Sequence, residues 1–357
     1  MKAKATPGEN EAERAAKLEH DLGTLSQLLG PTSAPNINTL WRLAKDLEGI
    51  KLNIKQSGYD LARRLADDSR ARPVPAAASP VGLTSKACVQ TDIDSEWFSY
   101  WASQLKIGVI YHRKIWEYCY LLQALFENGM LSEGAKGLGF ACGQEPIPSL
   151  LARLGCHVTM SDLPEEQAKD TGWISTRQHA SHLDAGFRAN IVDRPIYAER
   201  VSFIPIDMNA IPADLAGFDF CWSLCSMEHL GSISSGLDFV ENSLRPLKPG
   251  GIAVHTTEYN FLNDAETIDN WGTVLFQRRH FEALAQRLAA DGHAVAPLDF
   301  NVGDGPMDRF IDLPPYAHDL DEASRAWLGN TQHLKLLLDG FASTCFGLII
   351  KKSGTTQ

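Results

Sequence analysis

The sequence predicts an α/β fold, doubly wound around a mainly parallel sheet, with a helical arm and a helical cap ahead of it. Three observations carry this. Short apolar strands alternate with helical stretches from Gly137 onward; a strand, turn, helix and strand unit ends on the acid Asp162; and heptad-spaced leucines are confined to the first seventy residues. At roughly 150 residues per domain, 357 residues correspond to about two folding units.

The arm comes first, over residues 1–70. Leu18, Leu22, Leu25 and Leu29 fall at alternating steps of four and three, which is heptad spacing. Gly30 and Pro31 interrupt the pattern. A second run then sets Leu40, Ala44, Leu47, Ile54, Leu61 and Leu65 at the same spacing, with Lys51 and Gly58 as imperfect members. Two amphipathic helices are expected, and their stripe either packs on the chain's own domain or joins subunits as a short coiled coil in a homo-oligomer. Residues 71–93 turn to Pro, Ala, Ser and Val without periodicity and read as a linker. Residues 94–134 are aromatic-rich and helical in pattern, from Trp97 to Phe126, and form the expected cap.

The remainder, 135–357, supplies the sheet. Strands are expected at 137–141, 157–161, 201–206, 218–224 and 252–256, and two closing strands at 294–300 and 344–351. Helices are expected at 146–154, 237–244 and 279–290, the last opened by Arg278-Arg279-His280. Sequential strands separated by helices pair in parallel.

Composition narrows the function classes. The chain carries 44 acidic against 33 basic residues, a formal charge of -11, and such a balance repels nucleic-acid phosphates and acidic membrane surfaces. Seven scattered cysteines without CxxC spacing argue against a disulfide framework or a zinc ribbon and fit a reducing cytoplasm. The first residues, MKAKATPGENEAER, lack an apolar signal region, and no run approaches the ~18 to 20 apolar residues of a membrane span.

The informative stretch runs from Gly137-Leu-Gly-Phe-Ala-Cys-Gly-Gln-Glu-Pro to Met160-Ser-Asp162. In an open α/β sheet, ligands bind beyond the carboxyl ends of the strands, where small residues admit the backbone and an acid takes the hydroxyls of a ribose. Asp162 is that acid. A dinucleotide fingerprint requires glycine at position 142, which is cysteine here, and this weighs against hydride transfer.

These residues resemble the class I S-adenosylmethionine-dependent methyltransferases over roughly 134–352. Asp207-Met208 after the third strand, Phe218-Asp219 opening the fourth, Glu228-His229-Leu230 following it and Leu247-Lys-Pro-Gly-Gly251 keep step with that family. The resemblance implies a seven-stranded Rossmann-like sheet and S-adenosyl-L-methionine as cofactor. It places the cofactor on Gly139, Ala141, Gly143, Glu145, Asp162, Leu163, Asp207, Met208 and Ser223. The turn departs from the family: Gly139 stands where an acid is usual, and only Gly143 remains of a glycine-rich run. Glu145 either compensates at the cofactor's amino group or sulfonium, or favours the following helix N-terminus. The xCGxEP turn is similar to that of a bacterial subgroup associated with polysaccharide and glycan gene clusters.

Methyl transfer from a sulfonium is an in-line displacement, so the protein must hold the acceptor against the methyl carbon and exclude water. The acceptor expected is a sugar or glycan hydroxyl, with a small natural-product metabolite as the alternative. A non-catalytic scaffold and a nicotinamide oxidoreductase are the rival classes. Candidate bases are Glu228 and His229 after the fourth strand, and His255 and Glu258 at and after the fifth. The same four residues are also a candidate divalent-metal site, the less favoured reading. Tyr111-His112-Arg113-Lys114 is a candidate binding cluster for an anionic acceptor.

Overall fold

A parallel strand pair needs a crossover, and the helices Ile147–Arg153 and Ile233–Ser243 supply two of those in this chain. The computed structural model describes residues 15–20, 22–23, 37–70, 73–170, 179–180, 182–316 and 320–354. It divides into two units, Met1–Ser57 and Gly58–Gln357.

In the second unit the strands are, in chain order, β1 (Ser85–Ala87), β2 (Lys136–Gly139), β3 (His157–Asp162), β4 (Val201–Pro205), β5 (Phe218–Leu224) and β6 (Leu247–Asn260). There follow β7 (Ala294–Val295), β8 (Leu298–Asp299), β9 (Ile311–Asp312), β10 (Lys335–Leu338) and β11 (Phe341–Lys351). The order β4-β3-β2-β5-β6 is parallel throughout, and β11 then runs antiparallel along β6 from Ser343↔Asn260 to Lys351↔Ile252. This is a doubly wound, Rossmann-like α/β fold with an antiparallel edge.

Three expectations need correction. The sheet has eleven strands among the described residues rather than seven, because the strand expected at 294–300 is split into β7 and β8, while β1, β9 and β10 are two- to four-residue pieces too short for periodicity to register. Part of the stretch read as linker belongs to the sheet: β1 pairs antiparallel with β11 and parallel with β8, and a helical turn follows at Gln90–Ile93. Its residues are small, but Ser85, Ala87 and Cys88 are wholly buried, and Ser85 Oγ accepts from the Ile349 amide at 3.0 Å. β6 is also longer than expected, since it runs through Lys248-Pro-Gly-Gly251. Gly251 is required there, because a Cβ would lie 2.9 Å from the Asp219 carbonyl.

Successive strand residues face opposite sides of the sheet, and two cores result. One holds Trp97, Phe98, Trp101, Trp116, Tyr120, Phe220, Trp222 and Val254 under the helices Glu96–Gln104 and Arg113–Glu127. The cap aromatics are thus chiefly core. The other core holds Phe140, Phe239, Phe276, Phe281 and Phe346 under the helices Ile233–Ser243 and Arg278–Ala290. Ala62 and Ala66, from the end of the Ile37–Arg70 helix, join the first core.

In the first unit, the earlier turns of that helix present Trp41, Leu43, Leu47, Ile50 and Ile54 to solvent, all at least 40% exposed. Leu18 and Leu22 are likewise exposed, while Leu25 and Leu29 lie outside the described residues. No described helix is long and apolar enough to cross a membrane.

Candidate cofactor and acceptor site

The crossover leaving β2 packs against the first core and the one leaving β5 against the second, so the chain reverses direction between these neighbours. Such a switch opens a crevice at the carboxyl ends of the strands. Its rim is built from unusual backbone. Ala141 (φ 47°) and Gly143 (φ 50°) follow β2, and Cys225 (φ 48°) follows β5. Alanine and cysteine pay for the left-handed region, and strain of this kind concentrates at functional sites. Gly139 is dictated by packing, as a Cβ there would meet Cys142 Sγ at 2.3 Å and the Trp222 ring at 2.4 Å.

Asp162 ends β3 at this rim. Its Oδ2 accepts from the amides of Gly143 (3.1 Å) and Ala180 (2.9 Å), and its Oδ1 from that of Leu163 (2.8 Å). Burial pushes its pKa up, and these backbone bonds oppose the rise. A carboxylate has about four acceptor positions, so one remains for a ribose hydroxyl while Ala180 stays in place. The Ile206 amide donates to the Asp162 carbonyl at 2.9 Å, which brings Asp207 and buried Met208 beside it. This donor set fits a nucleoside: an acid for the sugar, an apolar wall for the base and open backbone for the chain between them.

A buried ionic cluster lies next to the crevice. Lys114 Nζ donates to the Leu224 carbonyl at the end of β5 (2.9 Å) and pairs with Glu145 (3.2 Å) and Glu117 (3.5 Å). Burial, with Glu117 and Asp162 nearby, raises Glu145 to about 7 despite the lysine. Arg113 pairs with Glu258, whose other oxygen accepts from Ser343 Oγ at 2.7 Å. Arg113 Nη1 also lies 3.6 Å from Cys345 Sγ. Cys345 donates to Glu117 at 3.1 Å and stands 3.3 Å from Cys225. Of the predicted cluster, Arg113 and Lys114 therefore face the site. Tyr111 instead donates to Asp94, and His112 caps its own helix by accepting from the Lys114 amide at 3.0 Å.

Two predicted residues lie elsewhere. Ser223 was expected at the cofactor and His255 as a base, yet both are fully buried on the other face of the sheet. Ser243 Oγ donates to the Val240 carbonyl at 2.7 Å and so accepts from His255 Nε2 at 2.9 Å. His255 Nδ1 then accepts from Ser223 Oγ at 2.8 Å. Both ring nitrogens are occupied, and burial lowers the pKa to about 3. The proposed metal quartet is likewise divided. Positions 255 and 258 of one strand differ by an odd step and face opposite sides, and His229 Nδ1 is 2.9 Å from the Gly272 carbonyl. Glu228 and Glu258 do converge, but around Cys225. Sequence reading missed Glu117, Cys225 and Cys345, which come from three separate elements with no local spacing to join them.

Residues 138–255, a third of the chain, match the family model described as a methyltransferase domain, whose cofactor is S-adenosyl-L-methionine. No curated protein matches the chain. Similar solved structures include a protein of Galdieria sulphuraria described as a sarcosine dimethylglycine methyltransferase, at 14% identity and a TM-score of 0.42, covering 78% of this chain and 95% of that one. A S-adenosylmethionine-dependent methyltransferase from Clostridium acetobutylicum is 10% identical with a TM-score of 0.37, over 68% and 93% of the two chains. A Haemonchus contortus phosphoethanolamine N-methyltransferase, in complex with phosphomonomethylethanolamine and S-adenosylhomocysteine, is 14% identical with a TM-score of 0.39, over 65% and 52%.

Proposed function

We propose that the methyltransferase domain at residues 138–255 transfers a methyl group from S-adenosyl-L-methionine to a hydroxyl, and that the hydroxyl belongs to a sugar or glycan. The observation that carries this reading is the buried ionic cluster beside the crevice, where Arg113, Lys114, Glu117, Glu145 and Glu258 offer both donors and acceptors. A polyhydroxylated acceptor needs such a set to fix one hydroxyl among several.

The bound cofactor supplies the electrophilic methyl. Asp162 holds the ribose, Asp207 and Met208 flank the adenine, and Leu163 with the turn from Gly139 through Ala141 and Gly143 lets the backbone approach. Glu145 and Lys114 orient the amino-acid end. His229 is the preferred base. A carbonyl can only accept, so Nδ1 donates to Gly272 and Nε2 carries the lone pair. Glu228 and Glu258 position the acceptor rather than take its proton, since each is already bonded, to Thr257 and to Arg113 with Ser343.

Isothermal titration with the cofactor, followed by transfer of its labelled methyl to a panel of sugars and sugar acids, tests the reading. Binding without transfer to any hydroxyl compound would remove the acceptor assignment. Absence of binding would leave a non-catalytic scaffold.

The first unit is proposed to self-associate with a second copy of this chain. Leu43, Leu47, Ile50 and Ile54 form an exposed stripe at heptad steps. In a parallel pair this register sets Asp46 of one helix opposite Lys51 of the other.

A further inference from the structure

We propose that Cys225, Cys345 and Glu117 form a binding site for a thiophilic divalent cation, zinc by preference, on the acceptor side of the crevice. The three come from the loop after β5, from β11 and from the Arg113–Glu127 helix. Their ligand atoms lie within 4.8 Å of one another, and two of the three residues are wholly enclosed.

The distances are close to those of a coordination shell. Zinc bonds of about 2.3 Å to sulfur and about 2.0 to 2.2 Å to oxygen, in a tetrahedron, separate two sulfurs by roughly 3.8 Å and a sulfur and an oxygen by roughly 3.5 Å. The observed separations are 3.3 Å between the sulfurs and 3.1 Å from Cys345 Sγ to Glu117. An opening of roughly half an ångström, within reach of side-chain rotation, seats the ion. Two thiolates and one carboxylate are a set that selects zinc over magnesium or calcium.

The charge inventory points the same way. Among the described residues, the buried carboxylates Glu117, Glu228 and Glu258, with Glu145 pushed up to about 7, share one cluster with two cationic side chains, Arg113 and Lys114. Carboxylates removed from water require compensation, and a divalent ion supplies it. Three protein ligands leave a fourth position open, as in zinc sites that meet a substrate. Cys225 also lies within 4.8 Å of carboxylate oxygens of Glu228 and Glu258, so that position falls where an acceptor group would be held. An ion there would polarise the acceptor and lower its pKa. The site differs from the His229 and His255 arrangement expected from sequence and is independent of the identity of the acceptor.

The test uses the full-length chain, reduced, stripped with a chelator and titrated with cobalt(II). The expected result is one cobalt per chain with a sulfur-to-cobalt charge-transfer band, and loss of that band on addition of zinc. Cys225→Ser and Cys345→Ser should each lose the band while keeping a cooperative thermal transition and S-adenosylmethionine binding by calorimetry. Glu117→Gln, which keeps both sulfurs, should retain a weaker band at higher cobalt concentration. No band in the wild-type chain would overturn the assignment, as would a band that survives both cysteine substitutions or cobalt bound without sulfur character. Cofactor binding is read separately, so failure of the metal site and failure of the methyltransferase reading are distinguishable.

Discussion

The two faces of the sheet at the ends of β5 and β6 bury polar groups in opposite ways. On one face, His255 sits between the hydroxyls of Ser223 and Ser243, and each hydrogen has one acceptor. On the other, charges crowd together: Arg113, Lys114, Glu117, Glu145 and Glu258 share partners, and thiols complete the set. A neutral, closed network specifies a core. An ionic cluster with a charge surplus asks for a ligand. Burial of a histidine or a carboxylate does not by itself separate the two; the balance of charge and partners does.

The sharpest way to break the contrast is to exchange the roles of the two histidines. His229→Ala should lower turnover by roughly 10²- to 10⁴-fold with cofactor affinity largely kept. His255→Ala should leave the turnover of folded molecules nearly unchanged while costing roughly 2 to 4 kcal/mol of stability, since it opens a cavity and strands the Ser223 hydroxyl. Steady-state kinetics beside denaturant titration reads both. A reversed pattern would mean that the two histidines have been assigned the wrong way round.

Acid should act through the neutral face. His255 has a folded pKa of about 3 against an ordinary ~6.5, so the unfolded chain takes up a proton that the folded one refuses. The stability it protects is complete above pH ~6.5 and is lost as the pH falls toward 3, at about 1.4 kcal/mol per pH unit. His112, lowered in the same direction by burial and by His333, adds to this. Urea titrations at successive pH values should show the acid limb flatten in His255→Gln; an unchanged limb would place its proton elsewhere.

A smaller effect is expected at the rim. Asp162→Ala should weaken S-adenosylmethionine by ~1.5 to 3 kcal/mol, a charged contact to one hydroxyl plus the loss of order at Gly143 and Ala180. Unchanged affinity in calorimetry would remove Asp162 from the site. The smallest energetic change per residue lies in the first unit, where Leu47→Lys with Ile54→Lys should shift the full-length chain to a lower oligomeric state in light scattering and leave turnover intact.

How far the sequence reached follows from which interactions are local. The five parallel strands and the acid at Asp162 were legible because alternation and turn chemistry are written in consecutive residues. Arg113 and Lys114 were marked by an exposed-looking basic pair, but their partners Glu117, Glu145 and Glu258 were joined only by the fold. His255 was misread because β6 was taken to end near Thr256. With the strand continuing to Asn260, its odd and even positions divide between the two faces.

The placement of β1 has a consequence for how the chain is made. Ala87 pairs with Phe346, and Lys86 with Gly347, so β1 must wait for a strand synthesised about 260 residues later. At ~5 to 20 residues per second the interval is on the order of 10 to 50 s. For the last part of it, roughly 4 to 16 s between the end of β6 at Asn260 and the start of β11 at Phe341, the nascent sheet has a β6 edge without β11, its amides and carbonyls unsatisfied. Newly made chains should therefore depend on chaperones that shield strand edges more than the finished protein's stability would suggest.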